Sequence, residues 1–246
     1  MACALHHPLR IRAAPCTLRI RIASAPAAPV LSGMTPSEDT SGRRRGYHHG
    51  NLREALVTAA LKLIAEKGPH GFSFAEVARE AGVSPAAPYR HFPSREALIA
   101  EAALRGFGLF ADLLDDAWNS GKPSPLAAFG KVGRAYLAFA RHEPGYYIAM
   151  FEAGLDLDAD PALRAEAERA QGAMRRAAEA LIERAAPEKR PLARMMSAHI
   201  WAMSHGVVEL FARNSAGLGA PISPEDLLES GTLVYLRGLG LIQGED

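Results

Sequence analysis

Cysteine is almost missing from this chain: Cys3 and Cys16 are the only two in 246 residues, both within the first twenty. Two thiols outside any periodic segment give neither a disulfide framework nor a four-ligand zinc site, and they fit a reduced, cytoplasmic setting. No window approaches the roughly 18 consecutive apolar residues of a membrane span, so no membrane partner is expected. Strand-like alternation is absent as well. Acidic residues are lacking from the first 33 positions, where Arg10, Arg12, Arg19 and Arg21 stand among scattered Pro and Ala. That composition superficially matches a transit peptide. The expectation is that Met34 is the physiological start, with the preceding segment an upstream extension or a disordered tail.

Recognisable catalytic patterns are lacking too. Asp156, Asp158 and Asp160 imitate the start of a calcium loop, but its sixth position is Pro161 and its twelfth Ala167, where a glycine and a glutamate are needed. Gly238 and Gly240 follow no strand and make no dinucleotide fingerprint. Neither G-x-S-x-G nor H-E-x-x-H occurs. His48 and His49 offer at most adventitious metal binding. No enzyme activity, cofactor or resident metal is therefore expected.

What is present is apolar helical material: 48% of the residues are hydrophobic, enough for a core in one large or two modest domains. The net charge of +1 hides an uneven distribution, for Gly42 to Ala100 holds nine Lys or Arg against five Glu. A basic stretch suits a nucleic-acid partner, although many solvated helix faces look the same.

The stretch from Ser73 to Phe92 is the most informative. Phe74, Val77, Ala78 and Ala81 recur at i, i+3, i+4 and i+7, one face of a helix. Ser73 with Glu76 forms a capping box, and Gly82 offers a left-handed terminus. Ser84 then reads as a second N-cap and Pro85 as a first helical residue. Two short helices around a tight glycine turn make a helix-turn-helix, whose second member enters the DNA major groove. An ordinary helical hairpin uses the same caps. Tyr89, Arg90 and His91 before Phe92 argue against a buried second helix, because they set phosphate-capable groups beside one anchor.

The run AEVAREAGVSPAAPYRHFPSREALIAEA, with the preceding NLREALVTAALKLIAEKGPHGFSF, resembles the DNA-binding domain of the TetR family of bacterial transcriptional regulators. The likeness covers roughly residues 46 to 104 and includes G-V-S, Y-x-H-F and S-[KR]-E-A-L at the family's spacing. It implies an all-α chain in three parts: a disordered extension and basic arm at 1–45, a helix-turn-helix domain at 46–93, and an effector-binding and dimerisation domain at 94–246. Arg43, Arg44, Arg45, Tyr47 and His48 form an arm that follows phosphates or enters the minor groove; a solvated tail is the alternative. Ser73 and Ser84 stand at the two helix starts. Pro85, Ala86, Ala87 and Pro88 would meet the groove through apolar contact, with Tyr89, Arg90 and His91 on the backbone. Pro88 departs from the aliphatic residue usual in the family and deletes one helical hydrogen bond, so this helix is expected to be short or bent. Arg95 occupies the family's phosphate-binding position.

Helices are expected near 52–67, from Arg95 to about Asn119, and near 125–142, 144–153, 161–186, 190–213 and 224–240. Ser124-Pro125, Asp160-Pro161 and Ser223-Pro224 each pair a cap with a first-turn proline. Trp201 to Gly206 looks like the W-x-x-x-H-G signature of one TetR subgroup, in which Gly206 would let another helix approach closely. Trp201 and His205 read first as a packed core pair and second as ligand lining. The family implies an effector cavity among Phe110, Trp118, Tyr136, Tyr146, Tyr147, Met150, Phe151, Met174, Trp201 and His205. It also implies a homodimer through the last two helices, with Ile200, Val207, Leu210, Phe211, Leu228, Val234 and Leu236 at the interface. The resulting reading is a repressor on a near-palindromic operator in double-stranded DNA, released by a small-molecule effector. An activator on the same fold, or a helical ligand- or partner-binding protein, remains open.

Overall fold

The computed structural model describes residues 52–185, 187–212 and 222–242. The basic-arm candidates and the Met34 question lie outside these residues. Eight α-helices and no strand occur among the described residues.

Helix α1 (Leu52–Lys67) buries Leu56, Ala59, Ala60, Leu63 and Ile64, with Val57 added. These side chains repeat with the helical period and present one apolar face to α2 and α3. Helix α2 (Phe74–Glu80) starts on the expected capping box: Ser73 accepts from the Glu76 N–H, and the Glu76 carboxylate accepts from the Ser73 N–H. Gly82 takes φ +67°, where a Cβ would be strained, and the Val83 N–H donates to the Ala78 carbonyl at 2.9 Å.

No α-helix follows. Pro85 to Ala87 form a turn and Pro88–Arg90 a single 3-10 turn. The reason is Pro88: without an N–H it cannot donate to Ser84, whose carbonyl is taken by the Ala87 N–H at 2.9 Å. Ser84 accordingly caps no α-helix, and its side chain is exposed.

Helix α3 (Arg95–Trp118) is capped by Ser94 and at 24 residues is about 36 Å long. Leu98, Ile99 and Ala102 from its first half close the head; Phe107, Phe110, Ala111 and Leu114 from its second enter a bundle. That bundle comprises α4 (Pro125–His142), α5 (Pro144–Phe151), α6 (Pro161–Ile182), α7 (Ala193–Val207) and α8 (Pro224–Gly238). Ser124, Asp160 and Ser223 cap α4, α6 and α8 as their sequences require. Helices α5 and α6 end at Phe151 and Ile182, short of 153 and 186, and α7 starts at Ala193 before passing into a π turn over Val208–Ala212. Helix α5 packs on α1 as well as on α3 and α4, so it touches both the head and the bundle.

Candidate DNA interface and effector cavity

Ser84, Pro85 and Ala86 are exposed on the turn after α2, and Tyr89 and Arg90 on the 3-10 turn, with Tyr89 at 66%. Such exposure for an aromatic ring has a local cause. Phe74 holds the Tyr89 ring edge-on with centroids 4.9 Å apart, while buried Phe92 anchors the segment's far end. His91 is half-buried beside them. Ala87 departs from expectation: it is buried, as is Pro88, because a 3-10 turn places them toward α2. The outward edge thus reduces to Ser84, Pro85, Ala86, Tyr89, Arg90 and His91, with exposed Ser73 at the start of α2.

Two arginines set this edge. Arg53 on α1 donates to the His91 carbonyl at 3.3 Å and to Glu101 at 2.6 Å, and its guanidinium lies 4.5 Å from the Phe92 ring centroid. The carboxyl of Glu101, although raised by burial, ends below its ordinary pKa because Arg53 and Arg105 bond to it. Nothing local in the sequence marks Arg53. Arg95, by contrast, turns inward from its expected phosphate position. Its guanidinium donates to the carbonyls of His70 and Phe72, each at 3.2 Å, and pairs with Glu96 at 3.1 Å. Its role in this geometry is to clasp the α1–α2 loop. Lys67, bonded to the cap residue Glu76, and the two Ser73 bonds hold that carboxyl down at about 2, so the cap remains ionised at neutral pH.

The residues expected to line a cavity pack against each other. Phe110, Tyr136, Tyr147 and Met174 are fully buried. Phe110 meets Tyr136 at 5.0 Å and Trp201 at 6.0 Å, and Tyr147 meets Phe151 at 4.9 Å. Met150 closes over Gly106, and Tyr146 lies beside it. Trp118 stands apart, its ring over Gly121. Within this cluster the Nδ1 atom of His205 lies 3.0 Å from the Tyr136 hydroxyl and 2.9 Å from the Tyr147 hydroxyl. One ring nitrogen offers a single lone pair or a single proton; Tyr147 has a second partner in Glu209 on the π turn. Burial pushes both phenols well above their ordinary pKa, so both stay protonated donors. Among the described residues nothing lies within 4 Å of where a Gly206 Cβ would sit, so none of the described helices makes the close approach expected there.

A cavity of about 420 Å³ opens instead between α4 and α8, over a floor from α6 and α7. Of the ten residues expected to line the effector cavity, Met174 lines this one. The walls are Leu126, Phe129, Ile200, Leu228 and Leu233; Ser124, Ser204 and Thr232 supply hydroxyls, and Lys131, Arg134 and Glu229 supply charge. The sequence signal for it is the run Gly130-Lys131-Val132-Gly133-Arg134, two glycines and two cations in an otherwise apolar half-helix. Gly133 lets Leu228 of α8 come to 3.3 Å of its missing Cβ.

The interface candidates divide between two directions. Ile200, Val207, Leu228 and Leu236 are buried within the subunit, so they serve its own core. Leu210 and Val234 are exposed, the latter at 68%, and Phe211 is half-buried. Leu192, Met195 and Ile222 are exposed as well. Five of the seven exposed large apolar residues among those described thus flank or lie on the last two helices.

Among the described residues no three His, Cys, Asp or Glu side chains gather as metal ligands, and no helix is long and apolar enough to cross a membrane. The family model "Bacterial regulatory proteins, tetR family" matches residues 56–102, and "Tetracyclin repressor-like, C-terminal domain" matches residues 129–234. An uncharacterized HTH-type transcriptional regulator of Bacillus subtilis, YobS, is 31% identical over 100 residues, 41% of this chain; the chain spans about half, 51%, of that relative's length. A solved Rhodococcus protein of unknown function superposes with a TM-score of 0.66 at 26% identity, covering 79% of this chain and 98% of that one. The TetR-family regulator PfmR of Thermus thermophilus superposes with a TM-score of 0.59 at 19% identity, covering 74% and 97%. Head, linking helix and bundle together give this chain the fold of a TetR-family transcriptional regulator.

Proposed function

We propose that the protein is a homodimeric repressor that reads a near-palindromic operator in double-stranded DNA and is released from it by a small molecule. The head at residues 46–93 binds DNA, and residues 94–246 bind the effector and the second subunit. The observation that carries this reading is the exposed edge of Tyr89 and Arg90, braced by Phe74 and by Arg53 through His91. An aromatic hydroxyl and a guanidinium held outward suit phosphate oxygens, while Pro85 and Ala86 suit thymine methyl groups. The effector's place is the cavity between α4 and α8. An effector shifts the protein only through unequal affinity for its DNA-bound and free conformations; α3, which enters both head and bundle, and α5, which packs on α1, are the elements available to carry that difference. The Trp201, His205 and Gly206 pattern supports membership of the W-x-x-x-H-G subgroup, with Trp201 and His205 packed against the core.

The test begins with selecting bound fragments from genomic DNA. Tyr89→Ala then weakens binding to the selected operator uniformly across its sequence variants. Arg90→Ala also lowers the slope of log affinity against log salt by about 1. Unchanged affinity in both variants, with helix content intact, removes this edge from the interface. Affinity insensitive to salt points to a partner-binding protein instead. A reporter assay on the same operator distinguishes repressor from activator.

A further inference from the structure

We infer that the cavity between α4 and α8 takes an anionic amphiphile: an apolar body ending in a carboxylate or phosphate head. This rests on the cavity being the effector site and names the effector's chemistry. Its floor and walls are hydrocarbon from Phe129, Met174, Ile200 and Leu228, which favours an apolar body over a sugar or a free nucleotide. Among the described residues, three charged side chains line it: Lys131, Arg134 and Glu229. Arg134 and Glu229 face one another at 3.6 Å, and the Arg134 guanidinium folds back over Gly130 at the α4 edge of the cavity. Lys131 is half-buried, one helical turn away, and has no ion pair or hydrogen bond among the described residues. The described lining therefore carries one positive charge without a counter-charge. Ala127 and Ser124 line the same side from the capped first turn of α4, the positive end of that helix's dipole.

The sign of that charge decides between ligand classes. A cationic amphiphile would bring like charge to Lys131, with Glu229 already occupied by Arg134. A neutral one would leave the lysine unpaired and partly desolvated. An anionic head converts that cost into a charge-assisted hydrogen bond.

The probes are four molecules with one ten-carbon chain, titrated calorimetrically below their micelle concentrations into the full-length protein without DNA: decanoate, decyl phosphate, decanol and decyltrimethylammonium. The expected result is one site per subunit for either anion, about tenfold weaker binding of decanol, and no measurable binding of the ammonium. Lys131→Met removes most of the anion preference, and Lys131→Arg retains it. Comparing decanoate with decyl phosphate separates an acid effector from a phosphorylated one. Ammonium binding as tight as decanoate overturns the inference, as does an anion preference that survives in Lys131→Met with Arg134→Met. So does the absence of binding by both anions. Because binding is read without DNA, a protein that takes decanoate but holds no operator sinks the regulator reading and leaves the cavity assignment standing. An operator complex unmoved by any anion does the reverse.

Discussion

Arg53 joins three parts of the head at once: the backbone at His91, the ring of Phe92 and the carboxylate of Glu101 on α3. Its side chain is half exposed, so these contacts contribute little to overall stability, about 1 kcal/mol or less. Their effect on placement is larger, since the 3-10 turn has few internal hydrogen bonds to hold Tyr89 and Arg90 outward. Arg53→Ala is therefore expected to leave the urea midpoint nearly unchanged while reducing operator affinity; full affinity in gel shifts would make Arg53 a bystander. The contrast with the caps explains what the chain discloses residue by residue. Ser73, Ser94, Ser124 and Asp160 each bond an N–H two or three positions away, so spacing alone identifies them. Arg53 and Arg95 reach carbonyls 38 and 25 positions away. No local pattern encodes a partner at that distance, so the sequence around Arg95 points to phosphate while its guanidinium clasps the head's own loop.

At the scale of helices the apolar period and the caps locate most elements, since α2, α3, α4, α5, α6 and α8 each begin on a side-chain cap or a first-turn proline, whereas α7 begins uncapped at Ala193 and the Ser84-Pro85 start leads into no α-helix. The period was insufficient for direction. Helices α7 and α8 are apolar on more than one side, and periodicity cannot say that Ile200 and Leu236 turn inward while Leu210 and Val234 turn outward. The aromatic run of α4 and α5 was ambiguous for a related reason: bulky apolar residues line cavities and fill cores equally well. Here Phe110, Tyr136 and Tyr147 fill, and the space lies across α4, beside Gly130 and Gly133. Helix α5 connects these observations to the head. Gly145 sits so close to α1 that a Cβ there would lie 2.4 Å from the Leu61 carbonyl oxygen, a contact that backbone atoms cannot relieve without moving apart. Gly145→Ala is expected to cost about 1–3 kcal/mol, measured by urea denaturation, and to alter operator affinity by displacing α5 from α1. Wild-type stability in that variant would mean that α1 and α5 are separated more widely than this packing requires.

For the whole molecule, the question is what covers the apolar side chains that the subunit itself leaves exposed. Leu192, Met195, Leu210, Ile222 and Val234 cluster in sequence around α7 and α8, and among the described residues nothing fills the space where a Gly206 Cβ would stand. Isolated exposed apolar residues are ordinary, but five around two neighbouring helices, with an open glycine, fit a face used by a second copy. Two-fold pairing through that face would give the molecule two heads, and a two-headed reader would need an operator with two related half-sites. Met195→Asp combined with Val234→Asp tests this arrangement, because both positions are exposed in the subunit and aspartate there changes its fold stability little, within about 0.5 kcal/mol each. In a dimer the same carboxylates face apolar surface or one another without partners. The expected product is a monomer by sedimentation velocity at micromolar concentration, with unchanged far-UV circular dichroism and much weaker operator binding, because each monomer engages only one half-site. A variant that still sediments as a dimer moves the interface elsewhere on the bundle.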